Sequence, residues 1–128
     1  MVKIAIPKSI TKIGRESFFK CRSLEEILIP QSVTSIEERA FDSCESLKKI
    51  KIPSSLNIIE KGVFSGCHSI TKIKIPSSIK FINEYAFSGC SLRQIRIPSS
   101  VTTIGEGAFA YNSLLNEVIL PNSITQIE

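Results

Sequence analysis

The residues best suited to nucleophilic or metal chemistry in this 128-residue sequence are four cysteines and one histidine. Metal-binding cysteines normally come as close pairs such as Cys-x-x-Cys. Here they recur singly at an interval of 23 residues, at Cys21, Cys44, Cys67 and Cys90. Because cysteine is among the residue types most often buried, the spacing predicts a column of small buried side chains and no metal site. Disulfide formation between neighbouring cysteines stays open.

Other catalytic groupings are missing from the sequence. His68 directly follows Cys67, but adjacent residues do not form a nucleophile and base pair in space. The glycines are single residues in turns, so no phosphate-binding loop is present. We therefore predict no enzymatic activity and no cofactor. Glutamates at variable turn positions are expected to be solvated: Glu37, Glu38, Glu60, Glu84 and Glu106.

The cysteine interval belongs to a repeat that runs through the whole chain. All six prolines lie 23 or, once, 22 residues apart: Pro7, Pro30, Pro53, Pro76, Pro98 and Pro121. A phenylalanine follows five of them at a fixed distance: Phe18, Phe41, Phe64, Phe87 and Phe109. Asn112 takes the cysteine position of the fifth repeat, and one residue is missing after Cys90. A period in this range predicts a solenoid whose coils stack on one another.

Each repeat contains two short extended segments and a compact turn. The first segment alternates apolar and polar residues, as in Ile50-Lys51-Ile52, and ends at a proline, which is typical of a half-buried strand. A second short segment follows, as at Val33 to Ile36. A compact turn or helical stretch with Ala-Phe-x-x-Cys completes the coil. The phenylalanines are expected to form a continuous interior column.

The copies LEEILIPQSVTSIEERAFDSC (Leu24 to Cys44) and LRQIRIPSSVTTIGEGAF (Leu92 to Phe109) resemble the BspA-like, or treponemal-type, leucine-rich repeat. The resemblance implies a right-handed β/α solenoid with a concave parallel sheet and a convex side of turns or short helices. It also implies a binding role, since similar repeats occur in cell-surface adhesins and in intracellular scaffolds. We assign one domain, residues 1–128, with repeats at 1–23, 24–46, 47–69, 70–91, 92–114 and a partial repeat at 115–128.

The two ends of the chain carry no polar capping element in the sequence. Met1 takes the leucine position of the first repeat, and Glu128 precedes the phenylalanine position of the last. Solenoid ends usually need a cap, so we expect either a fragment of a longer array or a protein with blunt ends. Blunt ends expose unpaired strand edges, which favours end-to-end self-association.

The strongest binding signal is a basic stripe on the predicted concave face. Alternation along the strands directs five cationic side chains outward: Lys49, Lys51, Lys72, Lys74 and Arg96. We call these five residues the basic stripe. Two cations on adjacent strands repel by about 0.9 kcal/mol in water, so a solvated lysine face needs no ligand to explain it. The alternative is contact with an acidic protein surface or phosphate groups. Nucleic acid fits less well, because no aromatic residue lies in the stripe for base stacking.

The overall composition leaves two function classes. The chain has 42% hydrophobic and 22% charged residues and a net charge of +4, a globular balance with no apolar run long enough for a membrane helix. We predict a protein-binding module, with a structural spacer or adhesin stalk segment as the alternative. The lack of a secretion signal favours the cytoplasm, whereas a segment of a longer protein could lie at the cell surface.

Overall fold

The computed structural model describes residues 2–128, which form a solenoid of stacked parallel coils. Met1, predicted to fill the first leucine position, lies outside the described residues. The strands are β1 (Val2–Ala5), β2 (Lys12–Ile13), β3 (Leu24–Leu28), β4 (Ser35–Ile36), β5 (Lys49–Ile50), β6 (Ile58–Ile59), β7 (Phe81–Ile82), β8 (Gln94–Arg96), β9 (Thr103–Ile104), β10 (Glu117–Ile119) and β11 (Gln126–Ile127).

Each strand pairs in parallel with its equivalent in a neighbouring coil. The first strands of the coils form the sheets β1-β3-β5 and β8-β10, with Ile27 opposite Ile50 and Ile95 opposite Val118. We call their solvent side, together with residues 72–74, the strand face. The second segments form the sheets β2-β4 and β6-β7-β9-β11. Both sides of the solenoid therefore have an interrupted sheet, the first between β5 and β8 and the second between β4 and β6.

The third part of each coil is built from turns. The sequence left turns or short helices open here, and the structure has turns: no helix occurs in residues 2–128, so the α component of the β/α coil is absent from them. The physical reason is that two residues in each such segment have left-handed backbone, for example Arg39 (φ 58°) and Ser43 (φ 61°). A left-handed residue cannot continue a right-handed helix, and each of these segments has two such residues, four positions apart.

A hydrogen-bond ladder runs without interruption along the turn side. In the first two coils, Phe18 N–H donates to Ala40 O at 2.8 Å and Lys20 N–H donates to Asp42 O at 2.8 Å. Equivalent bonds join the later coils as far as the fifth, where Phe87 N–H donates to Ala108 O and Gly89 N–H donates to Ala110 O, both at 2.8 Å. The turns thus hold the coils in register where the two sheets are interrupted.

The predicted phenylalanine column is confirmed. Successive rings of Phe18, Phe41, Phe64, Phe87 and Phe109 are stacked, with centroids 5.2, 5.7, 5.5 and 5.6 Å apart. Offset stacking at such distances is favourable beyond the burial of the rings. The three central rings are fully buried among the isoleucine and leucine side chains of both sheets.

Three of the four cysteines, Cys44, Cys67 and Cys90, are buried, and their thiols make equivalent hydrogen bonds. Thiols of three coils donate to the phenylalanine carbonyl of the preceding coil: Cys44 to Phe18 at 3.1 Å, Cys67 to Phe41 at 3.2 Å, and Cys90 to Phe64 at 3.3 Å. In the next coil, Asn112 Nδ2 donates to Phe87 O at 2.8 Å. All four thiols are free, and no cluster of metal-ligating side chains occurs in the part of the chain that the structure describes.

Gly105 marks the closest approach of two coils, and we expect Gly105→Ala to lower the free energy of unfolding by about 1–3 kcal/mol. An added Cβ would lie 2.7 Å from the backbone nitrogen of Glu84 and 2.9 Å from the carbonyl carbon of Asn83. Gly14 holds the same repeat position, but its Cβ would meet nothing nearer than 3.7 Å. Urea unfolding of Gly105→Ala and of Gly14→Ala as control tests this. Equal stabilities would contradict the close approach.

Candidate ligand-binding face

The strand face displays all five residues of the basic stripe. Lys49 lies in β5 and Arg96 in β8, while Lys51 follows β5 and Lys72 and Lys74 lie in the interruption between the two sheets. All five side chains are exposed. The intervening isoleucines point inward: Ile52, Ile75 and Ile95 are buried, and Ile50 and Ile73 are partly buried. The predicted alternation along the strands is therefore present.

Two shallow surface depressions, which we call grooves, lie at the stripe. The first, about 510 Å³, has an isoleucine floor and is lined by Glu26, Ile27, Leu28, Lys48, Lys49, Ile50, Lys51, Lys72, Ile73 and Lys74. The second, about 620 Å³, shares Lys51, Lys74 and Ile73 with the first and adds Arg96, prolines and serines. Lys51 and Lys74 thus line both grooves, and Arg96 lines the second. Neither groove is lined by an aromatic side chain.

The charges of the stripe are not neutralised by the protein itself. Within residues 2–128, none of its five cations forms an ion pair. The neighbouring Lys48 does pair with Glu25 at 3.2 Å, and this contact lowers the pKa of the Glu25 carboxyl. Five uncompensated cations on one face attract anions over about the Debye length.

The turn side is less acidic than the positions of its glutamates suggest. Glu37 contacts Lys12 at 2.9 Å and accepts a hydrogen bond from Arg15 N–H, and both contacts lower the pKa of Glu37. Glu38 pairs with Arg15 at 3.5 Å. These cations offset part of the acidic surface that the sequence predicts there. The basic stripe therefore carries charge of a single sign, whereas acidic and basic side chains are mixed on the turn side.

A third groove, about 360 Å³, lies on the turn side. It contains Lys61, Tyr85 and the pair formed by Arg39 and Asp42, whose Nε and Oδ2 atoms are 2.9 Å apart. Glu38 also lines this groove, so its two cations and two carboxylates balance. Its tyrosine lies away from the basic stripe, as the sequence indicated.

The histidine and its neighbouring cysteine point to different partners. His68 Nδ1 lies 2.9 Å from Gly89 O on an exposed turn, whereas the thiol of Cys67 donates to Phe41 O in the interior. Burial also raises the pKa of Cys67, which disfavours the reactive thiolate. The two side chains therefore form no catalytic pair.

No helix in the described residues has the length and apolarity to cross a membrane.

Comparison with known proteins gives a consistent result. A family model described as a BspA type leucine rich repeat region matches residues 1–116 in six copies. A leucine-rich repeat protein from Bacteroides ovatus has 38% identity and a TM-score of 0.93, over 96% of this chain and 34% of that one. A leucine rich cell surface protein from Faecalibacterium prausnitzii has 38% identity and a TM-score of 0.87, over 91% and 31%.

A third solved structure, the leucine-rich repeat protein of T. pallidum, has 34% identity and a TM-score of 0.91 over 98% of this chain and 60% of that one. The chain therefore spans about a third of the first two relatives and less than two thirds of the third. Among curated protein sequences, none matches the chain.

Proposed function

The chain belongs to the BspA-type leucine-rich repeat family, and on this premise we propose that it is a non-enzymatic protein-binding module whose strand face recognises an acidic surface of a partner protein. The basic stripe supplies the recognition charges. The observation that carries the proposal is the exposure of five cations without ion pairs beside two grooves. Complementary charge of this kind raises association rates and selects among partners.

The alternative function is that of a structural repeat segment in a surface protein. It is supported by the F. prausnitzii relative, which is described as a cell surface protein and is about three times as long as this chain. A spacer would tolerate any soluble residue on the strand face. The concentration of cations there, with neutral and acidic residues in the flanking coils, favours the binding function.

A pull-down with three forms of the chain tests the proposed function. The stripe variant replaces Lys49, Lys51, Lys72, Lys74 and Arg96 with serine. A charge-matched control replaces Lys12, Lys20, Lys61, Lys80 and Arg22 with serine, because these cations lie off the stripe and exposed ion pairs contribute little to stability. Both variants lose five positive charges, so they have the same net charge.

We expect a protein from cell lysate or extracellular matrix to be retained by the wild type and the control and lost by the stripe variant. The fold of each variant is first confirmed by circular dichroism. Identical retention by all three forms would contradict a role for the stripe and leave the spacer function.

A further inference from the structure

The sheet of the strand face is interrupted between β5 and β8, where cations of adjacent coils lie opposite one another. Residues 71–75 make no backbone hydrogen bond to either neighbouring coil in the described part of the chain. Lys72 and Lys74 lie in this stretch, at the positions that face Lys49 and Lys51 in one neighbouring coil. Arg96 faces Lys74 from the other. We call residues 71–75 the open rung.

In the hydrogen-bonded strands of the same face, residues directly opposite one another carry opposite charges, or one of them is uncharged. Glu26 lies opposite both Lys3 and Lys49 in the three-stranded sheet. Gln94 lies opposite Glu117 in the two-stranded sheet. Like charges directly opposite one another destabilise strand pairing, and opposite charges stabilise it. Like charges therefore face one another at the open rung and not between the hydrogen-bonded strands of this face.

The second interruption, between β4 and β6, contains no cation of the stripe. The facing residues there are Thr34, Ser35 and Glu37 in one coil and Asn57, Ile58 and Glu60 in the next. Neutralising the stripe should therefore leave this interruption unchanged. It provides an internal control within the same molecule.

The grooves favour an extended peptide over other anions. Leu28, Ile50 and Ile73 line the first groove and Ile73 also lines the second, so the apolar side chains of a peptide have contacts alongside its carboxylates. The lack of aromatic lining removes the stacking surface that bases and sugar rings use. Glu26 and Glu117 flank the stripe in the adjoining coils. The stripe therefore spans three coils, about 10 Å, which equals about three residues of extended chain.

On the basis of the proposed function, we propose that the stripe binds a short acidic segment of the partner along the grooves and that neutralisation of its cations closes the open rung. The inter-coil hydrogen bonds of residues 71–75 then form in the complex. Binding would thus join the two strand-face sheets into one. The ligand makes the strand face rigid at the place where it binds.

Amide hydrogen exchange measured by NMR on the full chain tests the closure. The probe is a synthetic peptide with four consecutive glutamates between serine and glycine residues, and its control carries glutamines in their place. At saturation with the glutamate peptide, we expect exchange at residues 72–75 to slow by about tenfold or more. Exchange at Asn57 and Glu60, beside the other interruption, should not change.

The outcomes separate this inference from the proposed function. Peptide binding without slower exchange in the open rung would overturn the closure. Failure of the peptide to bind, with the partner still lost by the stripe variant in the pull-down, would overturn the acidic-segment ligand and leave the proposed function standing. Tighter binding of a sulfated oligosaccharide than of the peptide would overturn the peptide as the ligand class.

A variant without ligand tests the role of repulsion directly. Lys72→Thr with Lys74→Thr removes the charges and adds residues suited to strands, so we expect slower exchange at residues 72–75 in the free protein. Lys61→Thr with Lys80→Thr is the control and should leave that exchange unchanged. Unchanged exchange in the Lys72 and Lys74 variant would overturn repulsion as the cause of the open rung.

Discussion

Asn112→Ala is expected to lower the free energy of unfolding by about 3–4 kcal/mol, because it removes the side-chain partner of two buried backbone groups, Phe87 O and Leu92 N–H, and of the partly buried Phe109 O. Nδ2 of Asn112 donates to Phe87 O at 2.8 Å and to Phe109 O at 2.9 Å. Its Oδ1 atom accepts from Leu92 N–H at 3.0 Å. Chemical denaturation of the variant against the wild type measures the difference.

The bond to Leu92 compensates for the residue missing after Cys90. In other coils the equivalent N–H donates to the carbonyl of the cysteine three residues earlier, as in Leu47 N–H to Cys44 O at 3.1 Å. Leu92 is only two residues after Cys90, so that local bond is absent and the amide of Asn112 replaces it. The asparagine at the cysteine position and the residue missing after Cys90 are therefore linked by one hydrogen bond.

Restoring the missing residue gives a sharp test of this coupling. Asn112→Cys keeps a donor for Phe87 O but removes the acceptor for Leu92, so we expect a loss of about 1–2 kcal/mol. Inserting a glycine between Cys90 and Ser91 should recover stability in the Asn112→Cys background more than in the wild type. Equal effects of the insertion in both backgrounds would contradict the compensation.

Raising the pH from 8 to 10 is expected to lower the free energy of unfolding by about 4 kcal/mol through three buried thiols. Burial raises the pKa of Cys44 and of Cys90 to about 12 from an ordinary value of 9.0, and it raises the pKa of Cys67 as well. Above pH 9 the unfolded chain loses thiol protons that the folded chain keeps. Stability from these groups is therefore complete below pH 9 and falls as the pH rises toward the folded pKa.

Urea unfolding under reducing conditions at several pH values measures this slope. Cys67→Ser is the matched variant, because a serine hydroxyl can donate to Phe41 O and does not titrate in this range. The variant should lose about a third of the thiol contribution to the slope. An unchanged slope in Cys67→Ser would contradict the burial of a protonated thiol at this position.

Periodicity alone predicted the features that repeat in every coil. The alternation at Ile50, Lys51 and Ile52 correctly separates inward from outward side chains, and the phenylalanine spacing correctly predicts the ring column. These predictions succeed because burial at a fixed position of a coil must recur with the repeat. The family assignment rests on the same positions.

Features that depend on contacts between particular coils were not predictable in this way. Arg39 and Tyr85 have left-handed backbone (φ 58° and 57°) although neither is glycine, so the turn segment could not be distinguished from a short helix. The partner of Asn112 lies in the previous coil at Leu92, and only the structure joins the two departures. The open rung likewise depends on which side chains meet across coils.

The affinity of the captured partner for three forms of the chain would show whether the basic stripe recognises it. Titration calorimetry at low and high salt would compare the wild type, the stripe variant and the charge-matched control. We expect the stripe variant to lose about tenfold or more in affinity, the control to stay near the wild type, and wild-type binding to weaken with salt. Equal affinities of the stripe variant and the control, with no salt dependence, would contradict recognition by the basic stripe.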